Sequence, residues 1–149
     1  MKSLLKEIDK NSEQDANTTS LTHCKLNSHI DYLRGVYQSR AATLIKCLQK
    51  YSVFKKIACT PTGGFFCWVR LHDGVDANAI ALTAAPAHNV HFLPGIRCHP
   101  NPDEGTDDES LELKSWIRLC FAMLNEDEIE RGITRLALAI NSFCENAQS

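Results

Sequence analysis

Thr60-Pro61-Thr62-Gly63-Gly64-Phe65-Phe66-Cys67-Trp68-Val69-Arg70-Leu71 sets a turn directly in front of an apolar strand. Proline and paired glycines are turn chemistry. The run from Phe65 to Leu71 is aromatic and apolar on both faces, which suits a buried central strand. His72-Asp73-Gly74 ends it. Gly63 and Gly64 let the backbone take positive φ, or approach another segment closely, just before that strand.

Toward the C-terminus, Asp76 is placed to cap a short helix from Ala77 to about Ala85, which Pro86 kinks or stops. Asn89 stands where helix gives way to strand, and asparagine tolerates the left-handed conformation needed there. Val90-His91-Phe92-Leu93 reads as a short strand, and Pro94-Gly95 makes a sharp exit typical of a loop that lines a cleft. Residues 98 to 110, CHPNPDEGTDDES, read as a solvated loop. Lys114 to Ala122 forms the last strand, and Asn125 with Glu128 resembles a capping box, with Glu126 and Asp127 filling the first turn. Ile129, Ile133, Leu136, Ile140 and Phe143 then give one apolar face.

Toward the N-terminus, Ile30, Leu33, Tyr37, Ala41, Leu44, Leu48 and Tyr51 step by three and four, the signature of an amphipathic helix. Ser28 is the expected N-cap and Asp31 lies in the first turn. Residues 1–27 read as a polar, mobile leader in which Ser3 to Ile8 could form a short helix. The expected domain is therefore 28–144, with 145–149 as a tail. The order helix, strand, helix, strand, strand, helix predicts an α/β two-layer sandwich: a small mixed or antiparallel sheet of about three strands, covered by helices on one face.

Composition narrows the function classes. The 149 residues, 44% apolar and 23% charged, fit one ordinary globular domain. Sixteen bases against eighteen acids leave a formal charge of −2, so no field draws the chain to nucleic acid or an anionic membrane. The first ten residues hold no apolar run suited to a signal peptide, and nothing approaches the roughly 20 apolar residues of a membrane span. A cytoplasmic location is the expectation. The seven cysteines, at 24, 47, 59, 67, 98, 120 and 144, form no C-x-x-C pair. They are expected to pack as small hydrophobes rather than to build a disulfide framework.

Two metal sites can be drawn on paper and neither is favoured. His88 and His91 are three apart with Cys98 and His99 following, yet one ends a helix and the other lies in a strand, so they share no helical face. The acids of 103–109 lack the ligand pattern and terminal glutamate of an EF-hand. Arg118 is the more pointed residue. It stands in an otherwise apolar strand between Ile117 and Leu119, where a charge is costly unless it finds a partner. On periodicity alone, an arginine emerging at the sheet end to pair with a neighbouring acid is the commoner case.

Three segments in register carry a family resemblance. Pro61-Thr62-Gly63-Gly64-Phe65-Phe66-Cys67-Trp68 matches P-x-G-G-F-F-x-W, Val90-His91-Phe92-Leu93-Pro94-Gly95 matches V-x-F-x-P-G, and Arg118-Leu119-Cys120-Phe121-Ala122 matches R-L-x-F-A ahead of a capped helix with Gly132. Over about residues 29–143 the chain resembles the C-terminal small domain of fold-type I, class I/II pyridoxal-phosphate (PLP) aminotransferases. Within these it is most similar to the branch of 2-aminoadipate, kynurenine and valine–pyruvate aminotransferases. The resemblance implies amino-group transfer between an amino acid and a 2-oxo acid, with PLP as cofactor and Arg118 gripping the substrate α-carboxylate. Pro94, Gly95, Gly63 and Gly64 become candidates to line the cleft. Cys98 stands where an aromatic residue is usual, and Pro86 interrupts the helix before Asn89.

The resemblance also implies a large domain with a phosphate cup, an aspartate facing the pyridine nitrogen and a Schiff-base lysine in a stretch like S-x-S-K. Lys25 in Thr-His-Cys-Lys, Lys46 in Leu-Ile-Lys-Cys and Lys114 in Glu-Leu-Lys-Ser do not match that stretch. No catalytic or cofactor-binding residue is therefore assigned, and the chain alone is expected to be inactive and to hold no PLP. The partners expected are a PLP-bearing domain or self-association. The rival expectation is a non-catalytic module that binds a full-length aminotransferase paralogue; a metal or redox module built on the cysteines is the remote third.

Overall fold

The computed structural model describes residues 2–100 and 108–147, with side chains from Lys25 onward, position 109 apart. The chain divides into two units, residues 1–36 and 37–149. The first unit is helical backbone belonging to α1 (Lys2–Leu48). Its described side chains include an Arg34–Asp31 ion pair at 3.1 Å and a His29–Tyr32 ring stack.

The helix thus passes through Ser28, which is an interior residue and not the N-cap that the spacing suggested. The reason lies in what the leader lacks. Its polar residues lower helix propensity only by tenths of a kcal/mol each, whereas glycine or proline would end the helix, and none occurs before Gly35.

In the second unit the last turns of α1 lead to β1 (Phe54–Ile57), β2 (Phe66–Leu71), α2 (Ala77–Leu82) and α3 (Ala84–Ala87). Then come β3 (Leu93–Pro94), a 3-10 turn (Gly95–Cys98), α4 (Asp108–Leu113), β4 (Trp116–Cys120) and α5 (Glu126–Asn146). The sheet has four strands in the order β1-β2-β4-β3, and every neighbouring pair is antiparallel. This is the expected α/β class with one strand more: β1, Phe-Lys-Lys-Ile, carries two central lysines and so hides from an apolar-run criterion.

Burial follows the pleat. Cys67, Val69 and Leu71 of β2 and Ile117 and Leu119 of β4 are buried, while Phe66, Trp68, Arg70, Trp116 and Arg118 alternate onto the other face. The central strand is therefore covered on one face, not buried on both. Its buried face packs into one cluster with Leu44, Cys47 and Leu48 of α1, Ile80 of α2, and Ile129, Ile133, Leu136 and Ile140 of α5. Each such aliphatic side chain contributes about 1.5–3 kcal/mol on full burial.

A polar seam ties α1 to α5. Ser39 donates to Glu126, Lys50 pairs with Glu130, and Tyr51 and Thr134 share a hydrogen bond of 2.9 Å. The capping box expected at Asn125 is present: its side chain accepts from the Glu128 N–H at 2.9 Å, and Glu128 accepts from the Asn125 N–H at 2.8 Å.

Between the strands, Asp76 caps α2 through the Asn78 and Ala79 N–H groups. The helix breaks at Thr83 because Pro86 has no N–H to offer the Leu82 carbonyl. Asn89 has φ 50, and its N–H reaches Pro86 O while the Val90 N–H reaches Ala85 O. These two bonds are a Schellman closure with asparagine in the left-handed position. The strand expected over Val90–Leu93 is shorter and later, Leu93–Pro94, and the loop expected over 98–110 contains α4 from Asp108; residues 101–107 lie outside the described ones.

Two glycines behave oppositely. A Cβ on Gly95 would stand 2.6 Å from Leu113 O and 2.9 Å from Trp116 O, whereas one on Gly132, inside α5, would meet nothing within 4 Å. Gly95→Ala should therefore destabilise by about 1–3 kcal/mol or more, since rigid backbone must move. Gly132→Ala should stabilise by up to about 1 kcal/mol from helix propensity. Denaturant midpoints of the two variants check the opposite signs.

Candidate functional site

The sheet face opposite α1 and α5 carries Phe66, Trp68 and Arg70 from β2 beside Trp116 and Arg118 from β4. The register puts Trp68 directly opposite Arg118, with Leu93 of β3 opposite it on the other side. Phe66 pairs with Cys120 and is therefore the diagonal neighbour of Arg118, close enough for a long side chain to reach. The Arg118 guanidinium lies over the Phe66 ring, 4.2 Å from its centroid. Such stacking orients a cation without neutralising it.

The two arginines of this face have different surroundings. Arg70 meets Asp73 at 3.2 Å and Glu112 at 3.8 Å. The Asp73 carboxyl is held below the usual carboxylate range by its hydrogen bond from Lys55, with Lys55 and Arg70 charges adding to the effect. Arg118 has no carboxylate within ion-pairing distance among the described residues. An ion pair with a neighbouring acid is thus the arrangement at Arg70, and among the described residues Arg118 has none.

The glycine turn is held from below. Gly64 has φ 73, while Gly63 needs no left-handed geometry. The Phe65 carbonyl accepts from the Phe121 N–H at 3.1 Å, and the Phe65 ring meets Tyr37 edge-on at 4.9 Å. Arg40 stacks on Tyr37 and donates to the Ala122 carbonyl.

Pro94 pairs with Ile117, and Gly95 is buried against Leu113 and Trp116. Gly63 and Gly64 therefore lie by the C-terminal end of β4, and Pro94 and Gly95 by its N-terminal end. Arg118 sits between the two pairs, which do not share one wall. A Cβ on Gly95 would meet the chain's own backbone, whereas one on Gly63 or Gly64 would meet nothing within 4 Å.

Phe66 as the platform for Arg118 was missed in the sequence, although its position two residues before Trp68 became informative once the register was known. A cavity of about 390 Å³ opens elsewhere, beside Leu44, His91, Leu119 and Gly132, and does not include Arg118. Among the described residues no three His, Cys, Asp or Glu side chains converge as a metal site, and no helix is long and apolar enough to cross a membrane.

If the ring holds the guanidinium, Phe66→Leu and Arg118→Met should be coupled by about 0.5–1 kcal/mol in a double-mutant cycle of denaturant unfolding. Additive losses would show that the stack contributes nothing.

Residues 4–136 match the family model for aminotransferase class I and II. The aromatic-amino-acid aminotransferase 1 of Thermococcus litoralis is 30% identical over 115 residues, covering 77% of this chain and 25% of that protein. Among solved structures, the alpha-aminoadipate aminotransferase of Thermus thermophilus, complexed with N-(5'-phosphopyridoxyl)-L-leucine, superposes with a TM-score of 0.66 at 26% identity, covering 80% of this chain and 28% of that one. The kynurenine aminotransferase of Pyrococcus horikoshii gives 0.65 at 29%, covering 79% and 27%. The chain spans about a quarter of the length of the curated relatives it matches.

Proposed function

Because this chain belongs to the aminotransferase class I and II family, we propose that Arg118 grips the α-carboxylate of an amino acid or 2-oxo acid once a PLP-bearing segment or partner completes the site. One observation carries this reading. Arg118 is stacked on Phe66 at 4.2 Å on the sheet face opposite α1 and α5 and has no acid partner among the described residues. A guanidinium oriented by a ring and left unpaired is prepared for two parallel charge-assisted hydrogen bonds to one carboxylate. Gly63 and Gly64 border the open end of this face, and Pro94 with Gly95 shape the backbone at its other end. Residues 28–144 are the proposed working unit.

Arg118→Lys, made in the completed enzyme, removes the fork but keeps the charge. A charge-assisted hydrogen bond contributes about 1.5–3 kcal/mol, so the substrate KM should rise about 10- to 100-fold while the melting temperature moves by only a few degrees. A large fall in melting temperature with unchanged KM would make Arg118 a structural residue.

PLP is the cofactor of the family, and we propose that this chain alone does not hold it. Lys50 is paired with Glu130 and Lys55 with Asp73. A phosphate is best held at a free helix N-terminus, but that of α5 is filled by its capping box and three acids, and that of α2 by Asp76. No step through the cofactor is therefore derived from these residues. Mixed with PLP and dialysed, the 149-residue chain should retain no cofactor absorbance and turn over no amino acid with any 2-oxo acid. A stoichiometric lysine adduct that disappears on adding an amino acid, with product formed, would overturn this.

A second reading is a non-catalytic module that binds a full-length aminotransferase. Phe65 and Phe66, 44% and 45% exposed beside Arg118, favour a covered state for this face. Titrating the chain into such a paralogue separates the readings: gained turnover supports the first, binding without turnover the second.

A further inference from the structure

The cavity of about 390 Å³ between α5, the end of β4 and residues 89–91 has the volume of a small-molecule site. Its floor is part of the core: Leu119, Ile129, Ile133 and Leu136 line it and belong to the buried cluster. Its rim is cationic. Arg131, Arg135 and His91 line it as exposed residues. The side chains of these three have no ion-pair or hydrogen-bond partner among the described residues. The one acid among the described lining residues, Glu128, is engaged in the capping box, where it accepts from the Asn125 N–H at 2.8 Å.

Two features of α5 that oppose a helix meet at this cavity. Arg131 and Arg135 lie one turn apart on the same side, where like charges repel. Gly132 beside them is a poor residue for a helix interior. Packing does not account for the glycine, because a Cβ there would meet nothing within 4 Å. It leaves vacant the space a side chain would fill, under two guanidinium groups that nothing neutralises. An anion held between the arginines relieves their repulsion, and an apolar body attached to it reaches the floor unobstructed.

We propose that this cavity binds a small organic acid without an amino group, its carboxylate on Arg131 and Arg135 and an apolar body of about one ring on the floor. Guanidinium groups hold a carboxylate through charge-assisted hydrogen bonds, and removing the body from water against Leu119, Ile129 and Ile133 adds to the affinity. An ammonium group would meet two cations and no free acid, so the site selects an acid over the matching amino acid. It is separate from Arg118: Leu119 and Arg118 are successive residues of β4 and point to opposite faces.

The test titrates the isotope-labelled full chain with hydrocinnamate and follows its amide signals. Those of His91, Arg131, Gly132 and Ile133 should shift and saturate. The alcohol of the same skeleton lacks the anion, and phenylalanine adds the ammonium; each should bind at least about tenfold more weakly. Replacing both arginines, Arg131→Gln with Arg135→Gln, should lower the affinity for hydrocinnamate at least about tenfold. Gly132→Leu fills the cavity, keeps both cations and suits a helix better than glycine; it should abolish saturation in a folded chain. Inorganic phosphate at the same concentration should not displace hydrocinnamate, because it has no body for the floor. Saturation confined to the indole signals of Trp68 and Trp116 would place the acid at Arg118 and refute the proposal. So would equal affinity for the alcohol or for phenylalanine, unchanged affinity in either variant, or displacement by phosphate.

Discussion

The pairing of β2 with β4, Phe66–Arg70 against Trp116–Cys120, is the constraint from which the second unit is built. Alternation along both strands sorts side chains onto two faces, and the register matches those faces across the pair. Val69 and Ile117 meet on the face that α1 and α5 cover, while Trp68 and Arg118 meet on the face they leave open. A slip of one residue in β4 would carry Arg118 into the core. Core and candidate site are thus two sides of one register, and the apolar residues that stabilise the sheet also keep the guanidinium outward.

The open face carries one cation with acid partners and one that has none among the described residues. Arg70 is surrounded by Asp73 and Glu112 and belongs to an exposed ion network with Lys55, the kind that contributes little to stability. Arg118 lies over an aromatic ring and meets no acid among the described residues. The difference comes from position along the strand. Arg70 lies near the end of β2, where the His72–Gly74 turn brings an acid back, whereas Arg118 lies in the middle of β4 between two strands whose facing residues are Trp68 and Leu93.

The connections deliver these strands through backbone chemistry. The Schellman closure at Asn89 stops α3 and starts the segment that becomes β3, only two residues long. Gly95 lets that segment press directly on the backbone at Leu113 and Trp116, a space no Cβ could share. The seam of Ser39, Lys50 and Tyr51 with Glu126, Glu130 and Thr134 sets α1 against α5 beneath the sheet.

Local features were legible in the residues themselves. The Asp76 cap, the Asn125–Glu128 box, the left-handed Asn89 and the apolar stripe of α5 each depend on neighbours within a few positions, so short-range sequence determines them. The family followed from three such segments in order. Other features depend on partners distant in the chain and were decided only by tertiary structure. β1 pairs despite its two lysines because β2 offers it an edge, and β2 is covered on one face because α1 and α5 both pack on the same side. The leader is helical backbone because nothing in it breaks a helix, a negative property that a polar composition obscured. That Arg118 rests on Phe66 was not legible in the sequence, because the two lie 52 positions apart and only the antiparallel register brings ring and guanidinium together.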